Sequence, residues 1–157
     1  MKTHSLTCES SGEESTARIA AALGPALSKG DVVLLEGDIG TGKTLFARRL
    51  IQSLQQCPED VPSPSFTLVQ VYDTKRGQIW HTDLYRLSSP NDVEELGLSA
   101  AFQNEICLVE WPDRLGGLAP SDALWVRFEL GEEDASRHIT FSWQHERWSS
   151  IVEKVLK

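Results

Sequence analysis

Asp31-Val32-Val33-Leu34-Leu35-Glu36 runs directly into Gly37-Asp38-Ile39-Gly40-Thr41-Gly42-Lys43-Thr44, and a helical apolar rhythm follows at once. The first stretch is a short, continuous apolar run of the kind found in a strand buried on both faces. The second matches the pattern G-x-x-x-x-G-K-[ST] in full. From Lys43 to Gln56, residues Leu45, Phe46, Leu50, Ile51 and Leu54 recur at helical spacing. Strand, glycine-rich turn and helix in that order are the context in which the pattern becomes a phosphate cradle. Glycines let the backbone come close enough to aim its N–H groups at phosphate oxygens, and the helix adds its positive end. Lys43 then reaches the β- and γ-phosphates, and the Thr44 hydroxyl is a ligand for Mg²⁺.

Outward from this stretch the elements alternate. Ser10-Ser11-Gly12-Glu13-Glu14 reads as a helix start, with capping hydroxyls and first-turn acids, and Thr16 to Leu27 carries Ile19, Ala20, Leu23 and Leu27 at helical spacing. Gly24-Pro25 threatens its last turn. After Val61-Pro62-Ser63-Pro64, two strands are predicted over Phe66–Asp73 and Gln78–Asp83, with Thr74 to Gly77 as a hairpin turn. Pro90 to Leu96 reads as a short helix ending at Gly97, and Glu105 to Glu110 as a second buried strand ending in an acid. Ala123–Leu130 and His138–Trp143 alternate like an antiparallel pair, and Arg147–Lys157 closes as an amphipathic helix. Strand order is not legible in these patterns.

Composition narrows the class. At 157 residues, 40% hydrophobic and 24% charged, the chain is predicted to be a single domain over 1–157, neither disordered nor membrane-spanning. The opening Met1 to Leu6 lacks a signal-peptide core, and no apolar run approaches the roughly 18 residues of a membrane span. Cys8, Cys57 and Cys107 are odd in number and lack a CxxC pair, which fits reduced thiols in a cytoplasmic protein without a disulfide or zinc site. The formal charge of −8 has the wrong sign for a broad nucleic-acid grip, so any service to RNA chemistry is expected to pass through a protein partner.

Other residues carry chemistry alongside the cradle. Glu110 ends a buried strand where a Walker B acid belongs, placed to hold Mg²⁺ or orient water; its bland alternative is a solvated strand end. His81 and Asp83, two apart on a strand, share a face. They are half a metal site without further ligands nearby, and a place for Asp83 near the Mg²⁺ shell stands beside a plain ion pair. Ser63-Pro64-Ser65-Phe66-Thr67 is either a hydroxyl-bearing switch that senses the γ-phosphate or a strand entry fixed by proline. Trp111 is a nucleotide-side aromatic or a core or lid residue. Arg137 either touches nucleotide or balances Glu132, Glu133 and Asp134.

Together, GDIGTGKT, SPSFT, HTDLYRL and LVEWPD resemble, in that order, the TsaE (also called YjeE) family of small bacterial ATPases, over nearly the whole chain. The resemblance implies an α/β fold of the P-loop NTPase type: three layers around a largely parallel central sheet, with added antiparallel strands. It also implies an ATP/ADP- and Mg²⁺-binding ATPase serving threonylcarbamoylation of adenosine 37 in ANN-decoding tRNAs. The family works with the TsaB and TsaD proteins, so tRNA would be met only through the complex. By the same resemblance Lys43 and Thr44 take phosphate and Mg²⁺, Glu110 the Walker B role, and Trp111 the neighbouring aromatic role. Asp83 would sit near the metal, Ser63 to Thr67 would act as the switch, and Glu13 and Thr16 would flank the nucleotide. The family's usual SPT here reads Ser63-Pro64-Ser65, which keeps the hydroxyl and loses the methyl.

Three rivals share the cradle. A small-molecule kinase would need an acceptor pocket and an arginine-bearing lid, and Arg114-Leu115-Gly116-Gly117 hints at one. A regulatory GTPase would need an N-K-x-D tetrapeptide, which the sequence lacks. A module with structural nucleotide would have no use for the acid at Glu110.

Overall fold

The computed structural model describes residues 2–157, and its seven strands share one sheet. In chain order the elements are β1 (His4–Ser10), α1 (Glu13–Leu23), β2 (Val32–Glu36), α2 (Lys43–Leu54), β3 (Val69–Thr74), β4 (Gly77–Asp83), α3 (Pro90–Glu95), α4 (Leu98–Asn104), β5 (Ile106–Glu110), β6 (Leu124–Leu130), β7 (Arg137–Trp143) and α5 (Arg147–Val155). The strand order is β1-β7-β6-β2-β5-β4-β3. Parallel pairing joins β6, β2, β5 and β4 at the centre, while β7 and β3 run antiparallel to their neighbours.

The continuous apolar run of β2 has the cause its sequence implies. Val33 and Leu35 face one layer, packed with Leu23 of α1, Phe46 and Leu50 of α2 and Trp148 of α5. Val32 and Leu34 face the other, packed with Val93 of α3, Leu98 of α4 and Leu115. Successive side chains of a strand point to opposite faces. A strand sandwiched between two helical layers must therefore be apolar throughout. Each such side chain, fully buried, contributes roughly 1.5–3 kcal/mol over exposure, which anchors β2 from both sides.

Register positions the functional end. Leu35 of β2 lies opposite Glu110 of β5, and Glu110 lies opposite Asp83 of β4. The carboxyl ends of three parallel strands are thus level, with β5 on one side of β2 and β6 on the other. In open α/β sheets ligands bind in the crevice outside the carboxyl ends of parallel strands, where connections lead to opposite sides of a strand.

Some elements depart from the sequence reading. Ser10 ends β1 and caps nothing: the N-cap of α1 is Gly12, with no side-chain hydrogen bond. α1 stops at Leu23, and Gly24-Pro25-Ala26 tighten into a 3₁₀ turn. β3 starts at Val69 and not at Phe66, because the Leu68 N–H closes a turn on the Pro64 carbonyl at 2.7 Å and Leu68 takes a φ of 67°. β1 and α4 had no counterpart in the sequence reading. Among the described residues no helix is long and apolar enough to cross a membrane.

Candidate functional site

Gly37 leaves β2 along a path that only glycine allows. A Cβ there would stand 2.6 Å from the Phe128 carbonyl oxygen and 2.7 Å from the Thr41 hydroxyl. The loop closes on itself through Thr41, whose hydroxyl donates to the Asp38 carbonyl at 2.7 Å. Gly42, at φ 111°, turns the chain into α2. No side chain caps that helix and no acid stands in its first turn, so its leading N–H groups and positive end face the loop unspent.

The next side chains along α2 point into the same space. Lys43 donates from Nζ to the carbonyls of Gly37 and Asp38, the latter at 3.1 Å, and lies 3.9 Å from the centre of the Trp111 ring. Burial pushes its ammonium below the ordinary lysine range, against the pull of Glu110, Asp83, Asp38 and Asp113. Thr44 donates from its hydroxyl to Glu110 Oε1 at 2.8 Å. The other oxygen of that carboxylate, Oε2, lies 2.7 Å from His81 Nε2 of β4. Asp83 accepts from the Tyr85 N–H at 2.9 Å and from the Ser65 hydroxyl at 3.4 Å. Burial raises its carboxyl above the usual carboxylate value; those two hydrogen bonds oppose the rise and the charge of Glu110 adds to it.

A cavity of about 510 Å³ gathers these groups. Its floor is the loop from Ile39 to Thr44, and one wall is Glu110, Asp83 and Trp111. Glu13 and Thr16, from the first turn of α1, line the cavity too, as do Arg137 and Ala135. Ser63 and Ser65 line it as well, so the candidate switch borders the cavity. Gly37 and Asp38 do not line it; their carbonyls hold Lys43 from behind.

Arg137 does something the sequence reading had not weighed. Its guanidinium donates to the carbonyls of Thr41 at 3.1 Å and Gly40 at 3.2 Å, and to those of Asp134 and Ser136 at 2.8 and 2.7 Å. It forms no ion pair with Glu132, Glu133 or Asp134 among the described residues. One residue thereby braces the glycine loop against the β6–β7 connection. Tyr85, which the sequence reading left without a role, lines the cavity with its ring 4.9 Å from that of Trp111. Its signal was present: it continues the alternation of His81 and Asp83. Arg114 donates to the carbonyl of Tyr85 at 3.4 Å. It lies in a 3₁₀ stretch, Pro112–Leu118, whose Leu115 is fully buried.

The donor set suits Mg²⁺. Thr44 and Glu110 present hard oxygens side by side at the head of an uncapped helix, the ligand chemistry Mg²⁺ prefers next to bound phosphates. No group of three or more His, Cys, Asp and Glu that could hold a metal occurs among the described residues. Metal held here would therefore depend on the hydroxyl and on phosphate oxygens as well.

The chain is similar to known proteins over most of its length. Residues 10–139 match the family described as "Threonylcarbamoyl adenosine biosynthesis protein TsaE". A tRNA threonylcarbamoyladenosine biosynthesis protein TsaE from Rickettsia bellii is 38% identical over 78% of this chain and 85% of its own. The protein of the same name from Bacillus subtilis is 32% identical over 90% of this chain and 88% of its own. The crystal structure of YdiB from Bacillus subtilis superposes with a TM-score of 0.81 at 28% identity, covering 99% of this chain and 96% of that one. The matched region runs from the end of β1 into β7 and so contains the cradle, Glu110 and Arg137: the chain belongs to the TsaE family.

Proposed function

We propose that the protein binds ATP with Mg²⁺ in this cavity, hydrolyses it slowly, and serves threonylcarbamoylation of adenosine 37 in ANN-decoding tRNAs together with TsaB and TsaD, in the cytoplasm. The observation that carries the reading is the Thr44–Glu110 hydrogen bond, which joins the cradle helix to the end of β5 at the mouth of an uncapped helix. The family's name supports the pathway.

Within the site each residue has separate work. The loop N–H groups and the α2 terminus hold phosphate, and Lys43 carries positive charge toward the outer phosphates. Thr44 and Glu110 would hold Mg²⁺, which when bound neutralises phosphate charge. Asp83, hydrogen-bonded to Ser65, ties the Ser63–Thr67 loop to that region. Among the described residues, Lys43 and the loop-bound Arg137 are the lysines and arginines that line the cavity, which supports incompletely matched transition-state charge and slow turnover alone. Leu115 is packed in the core and the β3–β4 hairpin lies at the sheet edge, which supports the ATPase reading over a small-molecule kinase.

Calorimetry with ATP, ADP and GTP, followed by hydrolysis assays with and without TsaB and TsaD, tests the proposal. Preference for adenine nucleotides and faster turnover with the partners are expected. Equal affinity for GTP, robust turnover that the partners leave unchanged, or phosphate found on a small metabolite would overturn it.

A further inference from the structure

His81 is the most deeply buried ionisable residue at the site, fully shielded from solvent, yet it does not line the cavity. Its Nε2 meets Glu110 Oε2 at 2.7 Å, while its Nδ1 has no hydrogen-bond partner among the described residues. That pairing fixes the ring. With a carboxylate oxygen at Nε2, a lone pair there would face negative charge, so the proton sits on Nε2 and Nδ1 is left as a bare acceptor. An orphaned acceptor is also more often tolerated in a protein interior than an orphaned N–H. The two oxygens of Glu110 are then divided between two donors: Oε2 to His81 and Oε1 to Thr44.

We infer that His81 is a positioning residue for Glu110, anchoring one carboxylate oxygen so that the other is presented beside Thr44 to Mg²⁺. The inference rests on the reading of the cavity as an ATP–Mg²⁺ site. It extends that reading to a group that touches neither nucleotide nor metal. Removing such a hydrogen bond behind a ligating carboxylate commonly costs 10- to 100-fold in metal affinity or activity. A glutamine amide places its nitrogen near the position of an imidazole Nε2, whereas asparagine reaches only the Nδ1 position.

The test compares wild type with H81Q, H81N and H81A. Affinity for a fluorescent mant-ADP is measured in EDTA and in Mg²⁺. Affinity in EDTA should agree within about twofold across the set, which reports an intact cradle. The Mg²⁺-dependent gain should fall by about 10- to 100-fold in H81N and H81A and return to within about threefold of wild type in H81Q. A merely structural histidine would lower affinity in both conditions alike. A full Mg²⁺ gain in H81A, or identical behaviour of H81Q and H81N, would overturn the inference alone. A wild-type chain with no Mg²⁺ gain would overturn the metal-site reading and this inference with it. Nitrogen-15 histidine spectra of the wild-type protein need no variant. They should show His81 protonated at Nε2, with that resonance moving when Mg²⁺ joins the ADP complex, and a proton on Nδ1 would overturn the assignment.

Discussion

The Lys43 ammonium sits 3.9 Å from the centre of the Trp111 indole, and Trp111 holds that position from a left-handed backbone at φ 59°. A bulky residue pays conformational energy to stay there, of order 1–3 kcal/mol. The surroundings impose it: Glu110 is fixed on one side by Thr44 and His81, and Pro112 begins a 3₁₀ stretch on the other. The ring shields one face of the ammonium from water and keeps it directed along the cradle. Changing Trp111 to Ala is expected to weaken ADP binding about two- to fivefold, matching roughly 0.5–1 kcal/mol for a cation over an aromatic face, with Phe between the two. Calorimetry reads the series; unchanged affinity in W111A would make the contact incidental.

Glu110→Gln keeps the shape of the side chain and removes its charge. ATP hydrolysis is expected to fall at least about tenfold, or roughly 1.4 kcal/mol in the barrier, while ATP binding persists. Wild-type rates in E110Q would mean that β5 ends in an ordinary acid.

Asp83 links pH to stability. Its carboxyl lies above the ordinary value of 3.8, chiefly through burial, so the folded chain holds this proton better than the unfolded chain. The stabilisation is complete below 3.8 and is lost as pH rises through the raised folded value, beyond which a buried charge must be carried. Asp83→Asn, which can still accept from the Tyr85 N–H, should melt at a higher temperature than wild type at neutral pH. The advantage should shrink as pH falls toward 4. Thermal unfolding over that range checks it, and a D83N protein less stable than wild type at every pH would contradict the assignment.

The strands and helix nearest the cradle were legible because each carries a local cause. β2 and β5 are apolar up to their terminal glutamates because both faces are covered, and α2 announces itself by the spacing of Phe46, Leu50 and Ile51. β1 was not, because His4–Ser10 lies at a sheet edge with most of its side chains half or fully exposed, leaving only Leu6 and Cys8 as apolar positions in a polar string. α4 was too short, and Ser99-Ala100-Ala101 too neutral, for a periodic signal. Strand order and the roles of His81 and Arg137 depend on pairings across long stretches of sequence, such as Arg137 with Thr41 and His81 with Glu110. A local pattern cannot hold that information. The Phe66 start of β3 failed for a different reason: a leucine at positive φ is invisible in composition.

Thiol chemistry should separate the three cysteines. Cys57 is exposed, Cys8 is half-buried with its thiol pushed up by burial, and Cys107 is buried with its thiol pushed up to about 12. With a chromogenic disulfide at pH 8, one thiol should react quickly, one slowly, and the third only after unfolding; C57S should remove the fast phase. Because the folded Cys107 keeps its proton beyond the ordinary 9.0, its contribution to stability should decline as pH rises from 9.0 toward about 12. Rapid labelling of Cys107 in the native protein would contradict its packing in β5.

Order of synthesis gives the sheet's arrangement a further meaning. β2 and the glycine loop leave the ribosome early, but the strands on either side of β2 are β5 and β6, and β1 pairs with β7, His4 opposite Trp143. Phe128, against which Gly37 packs, and Arg137, which braces Gly40 and Thr41, also arrive late. Such long-range pairing must wait for most of the chain, and until then Val32 to Leu35 is an uncovered apolar segment open to chaperones. The contacts that hold the glycine loop are therefore complete only once the seventh strand is made, and a product truncated before it keeps the motif without the Phe128 and Arg137 contacts.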